Sequence, residues 1–423
     1  MRNIFDQYTH PENRLTHALV SSIAQDQYLL REFIKWTTGH TIAKKETIHV
    51  IEQSLPDQLE ESEDEASHKG LPDACIYTDN GWILIIESKV AARVSINQLN
   101  RHINTLKNRG FTDIQLLVIN TDKNITNLPE HSFIKTWSEI YEWGHKHIQK
   151  TTWAKHFTGY FEVAEAKMIK EEYLKEGTLT RFTGIHFDND NPYSYPEAKR
   201  LLKLLMGELK TNKKLIKEMG IDTHSQGRGA ITGQKGYGVW DFMSVAEARG
   251  AQAFTQYPHV TLGIHDTDVG ISITIPHGVK REIFNNIFKN DISSFSKLLL
   301  NTLHNLKPVI HIEPGARPFI RIVQRRYKNQ RDNNPNVDAE LEFDLRTAFK
   351  NGGKNHVKQQ QQWLNAAFDV MRNKKSNLQI QVGVNFSYDT CKTMKDSRAI
   401  NLFAESIIAL KPFLDMAMGR GKG

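Results

Sequence analysis

Two short apolar segments on either side of Asp79-Asn80-Gly81 predict a β-hairpin over residues 70–90. The second segment, residues 82–86, is apolar without alternation, which is typical of a strand that is covered on both faces. Three charged side chains accompany this buried pattern: Asp73, Glu87 and Lys89. The alternative is a surface hairpin whose Glu and Lys pair across solvent for ~0–1 kcal/mol, but five successive apolar residues are unusual in an exposed edge strand.

The length of the turn decides whether the Asp73 carboxylate shares a face with Glu87 and Lys89. Strand side chains alternate, so Glu87 and Lys89 lie on one face and Ser88 on the other. A two-residue turn places Asp73 opposite Ser88. We expect a three-residue turn with Gly81 in the left-handed conformation, which places Asp73 opposite Glu87 instead. Two carboxylates and an ammonium then converge, and a proton or a cation must relieve the carboxylate repulsion. A divalent metal at this point creates a site for a phosphodiester.

Pro72-Asp73 and Glu87-Ser88-Lys89 resemble the two halves of the motif of the PD-(D/E)xK nuclease superfamily. The resemblance implies that Asp73, Glu87 and the backbone carbonyl of Ser88 bind Mg²⁺, for which Mn²⁺ can substitute. It also implies that Lys89 orients the attacking water or helps to deprotonate it. The implied activity is that of a Mg²⁺-dependent endonuclease that hydrolyses DNA, with RNA as the other substrate to consider. Bacterial chains of this design often belong to restriction or anti-phage defence systems.

A helical pattern over residues 10–36 supplies a candidate third acidic residue, Glu12. Residues 12–16, Glu-Asn-Arg-Leu-Thr, resemble the opening helix of a bacterial subgroup of this superfamily, in which the helix carries a glutamate toward the metal site. The helix macrodipole alone also favours a glutamate in a first turn. Both explanations of Glu12 stay open at this point.

A second helix is predicted after Lys89, with Ser95 as its N-cap and apolar residues Leu99, Ile103 and Leu106 at helical spacing. In the resembled superfamily this helix faces the active site, and a glutamine often projects from it. Gln98 is the candidate here. The alternative is that Gln98 is an ordinary solvent-exposed polar residue of the helix.

The succession of elements in residues 1–155 predicts an α/β restriction-endonuclease-like core, in which helices flank a mixed central sheet. The order is helix, strand, hairpin, helix, strand, helix, in which the two single strands are residues 47–53 and 114–120 and the last helix begins near residue 137. Residues 57–66 hold six acids and no base, which predicts a solvated loop.

Residues 156–423 predict a separate α+β domain that resembles no family we can name. A helix is expected over residues 196–217. Five glycines in residues 226–238 lack both the Walker spacing and a preceding apolar strand, so a mobile loop is favoured over a phosphate cradle. Six strands are predicted at residues 259–264, 269–275, 309–313, 318–323, 339–345 and 378–388. Three helical regions are predicted at residues 280–306, 354–372 and 397–418.

A row of basic residues follows one of these strands and is the candidate nucleic-acid contact: Arg317, Arg321, Arg325, Arg326, Lys328 and Arg331. The spacing of Arg317, Arg321 and Arg325 places them on one side of a strand, where they would form a stripe able to contact phosphates. A charged solvent face is the alternative.

The distribution of charge fits a nuclease with a separate binding domain. Residues 1–150 hold 16 basic and 20 acidic residues, which leaves 39 basic and 28 acidic residues for the remainder. No run of eighteen apolar residues and no apolar N-terminal stretch is present, so we expect a cytoplasmic protein without a membrane span. The expected partner is DNA, and a homodimer or partner proteins of a defence system are compatible with the sequence. The competing hypothesis is a binding or sensor protein on a nuclease-like fold, whose function resides in residues 156–423.

Overall fold

A computed structural model of the chain defines the elements within the residues that it describes. Of residues 356–361 only the backbone is described. The described residues are 4, 5, 8, 10–56, 71–90, 92–187, 194–225, 227–228, 238–289, 291–327, 336–348, 356–373 and 377–420. Several sequence-based predictions lie outside the described residues, namely the acidic segment 57–66, most of the glycine-rich segment 226–238, Lys328 and Arg331.

The chain divides into two compact units, Met1–Arg181 and Phe182–Gly423. The division therefore falls after the predicted boundary at residue 155. The reason is a buried carboxylate: Glu165 accepts hydrogen bonds from the Leu179 N–H at 2.7 Å and the Thr180 N–H at 3.2 Å. Because Glu165 lies on the helix Thr152–Lys170, it ties the following segment to the first unit.

The first unit contains a five-stranded mixed sheet in the order β1-β2-β3-β4-β5. The β1/β2 and β2/β3 pairs are antiparallel, whereas the β3/β4 and β4/β5 pairs are parallel. The predicted hairpin and both further strands are confirmed, and β5 is a strand that the sequence pattern missed. The strands are β1 (Ile48–Glu52), β2 (Ala74–Thr78), β3 (Trp82–Ser88), β4 (Asp113–Asn120) and β5 (Ser132–Thr136).

Helices cover both faces of this sheet, so the unit has an α/β architecture. Alternate residues of β3 divide between two cores: Leu84 and Ile86 pack with α1, α2, α4 and α5, whereas Ile83 and Ile85 pack with α3. This double burial explains why the strand is apolar throughout, as predicted. The helices are α1 (Pro11–Ala24), α2 (Gln27–Thr38), α3 (Ile96–Asn108), α4 (Trp137–His145) and α5 (Thr152–Lys170).

The second unit is built on a six-stranded antiparallel sheet in the order β10-β9-β11-β8-β7-β6. One face of this sheet packs on helices in a single core. The α+β prediction holds, with one additional strand, β6. The strands are β6 (Val239–Ser244), β7 (His259–Ile264), β8 (Asp268–Ile275), β9 (Arg317–Arg326), β10 (Asn336–Asp344) and β11 (Leu378–Ser387).

The helices of the second unit correct two predictions. The segment 309–313, expected to form a strand, instead ends a short helix: residues 309–312 are helical, the helix begins at Lys307-Pro308, where proline suits a first helical turn, and Glu313 is its C-cap. Three of the predicted long helical regions are each divided into two helices. The helices are α6 (Tyr195–Leu209), α7 (Lys213–Met219), α8 (Arg281–Phe288), α9 (Ile292–Asn305), α10 (Lys307–Ile312), α11 (Leu345–Ala348), α12 (His356–Asn373), α13 (Ala399–Ala409) and α14 (Lys411–Met418).

Within the described ranges, no helix is both long enough and apolar enough to cross a membrane.

Candidate active site

The hairpin between β2 and β3 has the three-residue turn that brings the motif together. Its ladder ends at the pair Ala74↔Ile86, and Gly81 takes a φ of 89°, in the left-handed region that favours glycine. Extending the ladder by one pair places Asp73 opposite Glu87. The predicted register is therefore confirmed, and the side chains of Asp73 and Glu87 belong to the face covered by α3.

The two carboxylates differ in their readiness to ionise. Burial and the Glu87 carboxylate raise the pKa of Asp73 to about 7. Part of Asp73 is exposed, but its carboxyl group lies among protein atoms, and this burial is the largest cause of the shift. Burial acts to raise the pKa of Glu87, but the neighbouring His102 and Lys89 outweigh this effect and lower the pKa. At neutral pH Glu87 is thus ionised, whereas Asp73 ionises far less readily than an ordinary aspartate.

Lys89 supplies the positive charge nearest to this pair. Its Nζ lies 2.8 Å from Glu87 Oε1, and His102 Nε2 lies 3.6 Å from Glu87 Oε2. Despite these short distances, neither Glu87 oxygen accepts a hydrogen bond of standard geometry from a described residue. Burial acts to lower the pKa of Lys89, but Glu87 and Asp73 raise it overall, so the ammonium stays protonated at neutral pH.

Asp73 is oriented by the second half of the motif itself. Its Oδ2 accepts hydrogen bonds from the Ser88 N–H at 2.7 Å and from the Ser88 hydroxyl at 2.8 Å. The hydroxyl of Thr16, on α1, lies 2.5 Å from Ser88 Oγ. Ser88 therefore links the carboxylate to the helix on the opposite face of the sheet. The predicted role of its backbone carbonyl as a metal ligand stays a prediction.

Glu12 lies where β3 ends. Its Oε1 accepts a hydrogen bond from the Val90 N–H at 2.7 Å, and its charge is a minor cause of the raised pKa of Lys89. The main chain of Lys89 is also fixed, because its carbonyl accepts from Trp137 Nε1 at 3.0 Å and its N–H donates to the Ile119 carbonyl at 2.8 Å. The structure thus brings Glu12 to the motif, in contact with its main chain.

Helix α3 contributes His102, which sequence reasoning passed over in favour of Gln98. Ser95 is the N-cap, as predicted, and accepts from the Gln98 N–H at 3.4 Å. Gln98 is half-buried, and among the described residues no hydrogen bond involves its side chain. His102 is 3% exposed and lies against Glu87. The signal was present in the sequence, because residues four apart share a helix face.

The residues at this site fit a divalent cation. No three His, Cys, Asp or Glu side chains of the described chain converge as a complete metal site. Mg²⁺ needs fewer, since it is commonly held by one or two carboxylates together with waters. Glu87 offers two buried oxygens with unused acceptor capacity, and the repulsion that raises the pKa of Asp73 is of the kind that a cation removes.

Asp73→Asn should stabilise the metal-free protein at pH 8 but not at pH 5. The folded-state pKa of about 7 lies above the value near 3.9 of an unfolded-chain aspartate. The folded chain therefore binds more protons between these values, and stability falls as the pH rises through them. Asparagine does not ionise, so the variant does not lose this stability. Its Tm advantage over the wild type should therefore grow with pH, by about 2–4 °C for each kcal/mol that the aspartate loses.

Thermal unfolding in EDTA at both pH values measures this difference. Asp79→Asn is the matched control, because Asp79 lies in the same hairpin and its side chain is 77% exposed. An Asp73→Asn protein that is many degrees less stable at pH 8 would show that this carboxylate has a structural role.

The predicted arginine stripe exists but is largely paired with acids. Arg317, Arg321 and Arg325 line one cavity along β9. On the neighbouring strand β10, Glu342 lies 3.1 Å from Arg317 Nη2 and Glu340 lies 2.6 Å from Arg321 Nε. The exposed Arg326 is paired with Asp338 at 3.4 Å. Phosphate contact by these arginines stays a prediction, and contact by Arg317, Arg321 or Arg326 would have to displace a carboxylate.

The double variant Arg317→Gln/Arg321→Gln should therefore reduce the salt dependence of duplex binding only slightly. A free arginine that contacts phosphate contributes ~0.9 to the slope of log K against log salt concentration. We expect less than this per residue, because Glu342 and Glu340 already neutralise the two guanidinium groups. Fluorescence anisotropy of a labelled duplex across a KCl series measures the slope. A decrease of ~1.8 would show that both arginines contact phosphates in spite of their partners.

Comparison with known proteins adds no family assignment to this geometry. No protein-family model matches the chain, and no curated protein matches it.

Proposed function

We propose that the first unit is a metal-dependent nuclease that hydrolyses phosphodiester bonds in DNA, and that its sheet and helices form a restriction-endonuclease-like core. The observation that carries the proposal is the hairpin register, which places Asp73 opposite Glu87 with Lys89 Nζ 2.8 Å from Glu87. A strand buried on both faces has no structural need for two carboxylates and an ammonium at its end.

Asp73, Glu87 and the Ser88 carbonyl would hold the metal. Bound there, Mg²⁺ or Mn²⁺ would polarise the scissile phosphate and offset its charge. Lys89 remains protonated beside Glu87, so its role is to orient the attacking water and to stabilise charge on the phosphate, and not to accept a proton first. The contacts of Glu12, Trp137 and Ile119 with the end of β3 keep these groups in place.

The remaining parts of the proposal concern the setting of the reaction. DNA is the proposed substrate and RNA the alternative, and a role in bacterial restriction or anti-phage defence follows only from the resemblance of the motif. A cytoplasmic location fits the two cysteines, Cys75 and Cys391, which are both free and buried.

A sensor or binding role of the second unit is the other candidate function, and it is compatible with the first. The observation that favours it is a polar cavity on the sheet of the second unit.

A plasmid-cleavage assay of the full chain tests the nuclease proposal. We expect nicking or linearisation with Mg²⁺ and Mn²⁺, no reaction in EDTA, and loss of the reaction in Lys89→Ala. A structured RNA in parallel reactions distinguishes the two substrates. Cleavage that persists in EDTA, or that is unchanged in Lys89→Ala, would reject the proposal.

A further inference from the structure

The second unit contains a cavity of about 880 Å³ on one face of its six-stranded sheet. The opposite face packs on helices through apolar residues such as Ile273, Ile320 and Val382. The cavity spans the sheet from Trp240 on β6 to Arg321 on β9. Since this is four strand spacings, the cavity is roughly 19 Å long. Its volume is in the range of small-molecule and cofactor sites.

The floor of the cavity is polar and already organised. The hydroxyls of Thr261 and Thr274 lie 2.7 Å apart, and Gln381 Nε2 donates to the Thr274 hydroxyl at 3.2 Å. The side-chain oxygen of Gln381, Oε1, in turn accepts a hydrogen bond from Arg321 Nη1 at 3.5 Å. Ser272 and Thr274 are each 4% exposed. A fixed network of hydroxyl and amide groups is suited to the edges of a ligand that both donates and accepts hydrogen bonds.

One end of the cavity has an excess of positive charge. Arg325 Nη1 donates to the neutral amide oxygen of Gln379 at 2.6 Å, and no ion pair joins Arg325 to a carboxylate in the part of the chain that the structure describes. Tyr327 Oη lies 3.0 Å from His277 Nε2 at the same end. Burial and then the charge of Arg325 lower the pKa of His277. A half-buried guanidinium in such a corner favours an anionic partner.

Aromatic side chains line the side of the cavity formed by β6 and the segment before β7. Phe254 is 42% exposed, a large apolar surface for a side chain that lines a cavity. Trp240 is half-buried beside it, with the two ring centroids 6.4 Å apart. Phe254 stacks on Phe242 with ring centroids 4.7 Å apart, and the Arg228 guanidinium lies over the Trp240 ring at 3.9 Å. The remaining exposed surface of Phe254 is suited to stacking on a planar ring.

We propose that this cavity is a binding site for a nucleotide, whose phosphate lies at the Arg325, His277 and Tyr327 end and whose base lies toward Phe254 and Trp240. The Arg325 guanidinium is suited to an ion pair with the phosphate. The polar floor is suited to hydrogen bonds with the ribose and the edges of the base, and the aromatic side to stacking on the plane of the base. The site lies entirely within the second unit. It is therefore independent of the proposed nuclease chemistry.

Titration calorimetry of the full chain in EDTA tests this site without a metal at the first unit. The probes are ATP, GTP, their monophosphates, inorganic pyrophosphate and a single-stranded 12-mer. At least one nucleotide should bind with a Kd below about 1 mM. Arg325→Gln should weaken that binding about tenfold or more, because a charge-assisted contact is lost.

Arg326→Gln is the matched control, because Arg326 is the next residue of β9 but does not line the cavity. It should leave the affinity nearly unchanged. Phe254→Ala should weaken nucleotide binding but not pyrophosphate binding. The proposal is overturned if no nucleotide binds, if Arg325→Gln binds as well as the wild type, if pyrophosphate binds as tightly as the nucleotides, or if only the 12-mer binds.

Discussion

Glu87→Gln and Lys89→Ala should each lower the rate of Mg²⁺-dependent cleavage by about 10²-fold or more. Glu87 is the carboxylate that stays ionised at neutral pH, so its replacement removes the charge that would hold the metal. Lys89 is the ammonium in contact with it. Initial rates of plasmid nicking at saturating Mg²⁺ measure both effects.

Neither loss of cleavage should be explained by unfolding. In Glu87→Gln, Lys89 and His102 lose the ionised carboxylate whose pKa they lower, whereas Asp73 no longer faces a second carboxylate. The first effect lowers the Tm and the second raises it, so the Tm should change by only a few degrees and the protein should stay folded at the assay temperature. The exposed residues Glu130 and Lys107 provide matched controls as Glu130→Gln and Lys107→Ala. Full cleavage activity in Glu87→Gln would contradict the assignment of this site as the active site.

Glu12→Ala should lower the cleavage rate by about 10–100-fold, the usual cost of losing a group that positions the residues at a metal site. Its Oε1 holds the Val90 N–H at 2.7 Å, directly after Lys89 in the chain. Without this acceptor the end of β3 loses a main-chain anchor beside the ammonium. The same nicking assay measures the change.

Glu12→Gln distinguishes a positioning residue from a third metal carboxylate. A glutamine oxygen can still accept the Val90 hydrogen bond but carries no charge, so we expect this variant to keep a rate within about threefold of the wild type. If glutamine is as damaging as alanine, the charge of Glu12 itself is required, which would make it a direct participant at the site.

The hairpin was predictable because its determinants are local. The Asn-Gly sequence, the apolar strand and the alternation of side chains all lie within residues 70–90, and the register follows from the turn alone. The partner of Glu87 on α3 could not be predicted from local sequence alone. Gln98 and His102 share a helix face, and only the packing of the helix determines that His102 contacts Glu87. The resemblance favours a glutamine on this helix and therefore predicts Gln98, whereas the structure places His102 against Glu87.

The arginine stripe shows where sequence reasoning fails in the second unit. The alternation along β9 was correctly predicted, but the charge balance depends on β10, which pairs with β9 through a register shift between Val337 and Ala339. That bulge sets which acids face Arg317 and Arg321. The cavity is likewise a product of pairing between β8, β9 and β11, which are distant in sequence.

The division of the chain after Arg181 likewise depends on contacts between residues that are distant in sequence. Helix α5 belongs to the first unit through its packing with α1 and α4, and Glu165 extends that unit to residue 180. A buried glutamate in a helix that otherwise has many polar residues gives no sequence signal of its partners, since these are backbone N–H groups fourteen and fifteen residues away.

The most direct test of the central claim, that Asp73 and Glu87 together bind a divalent cation, is a crystal of the protein soaked in Mn²⁺ and measured at the manganese absorption edge. We expect an anomalous peak in contact with both carboxylates, with Lys89 Nζ displaced from Glu87, and no peak in crystals of Glu87→Gln. Occupancy of another site only, or no manganese in the wild-type protein, would contradict the claim.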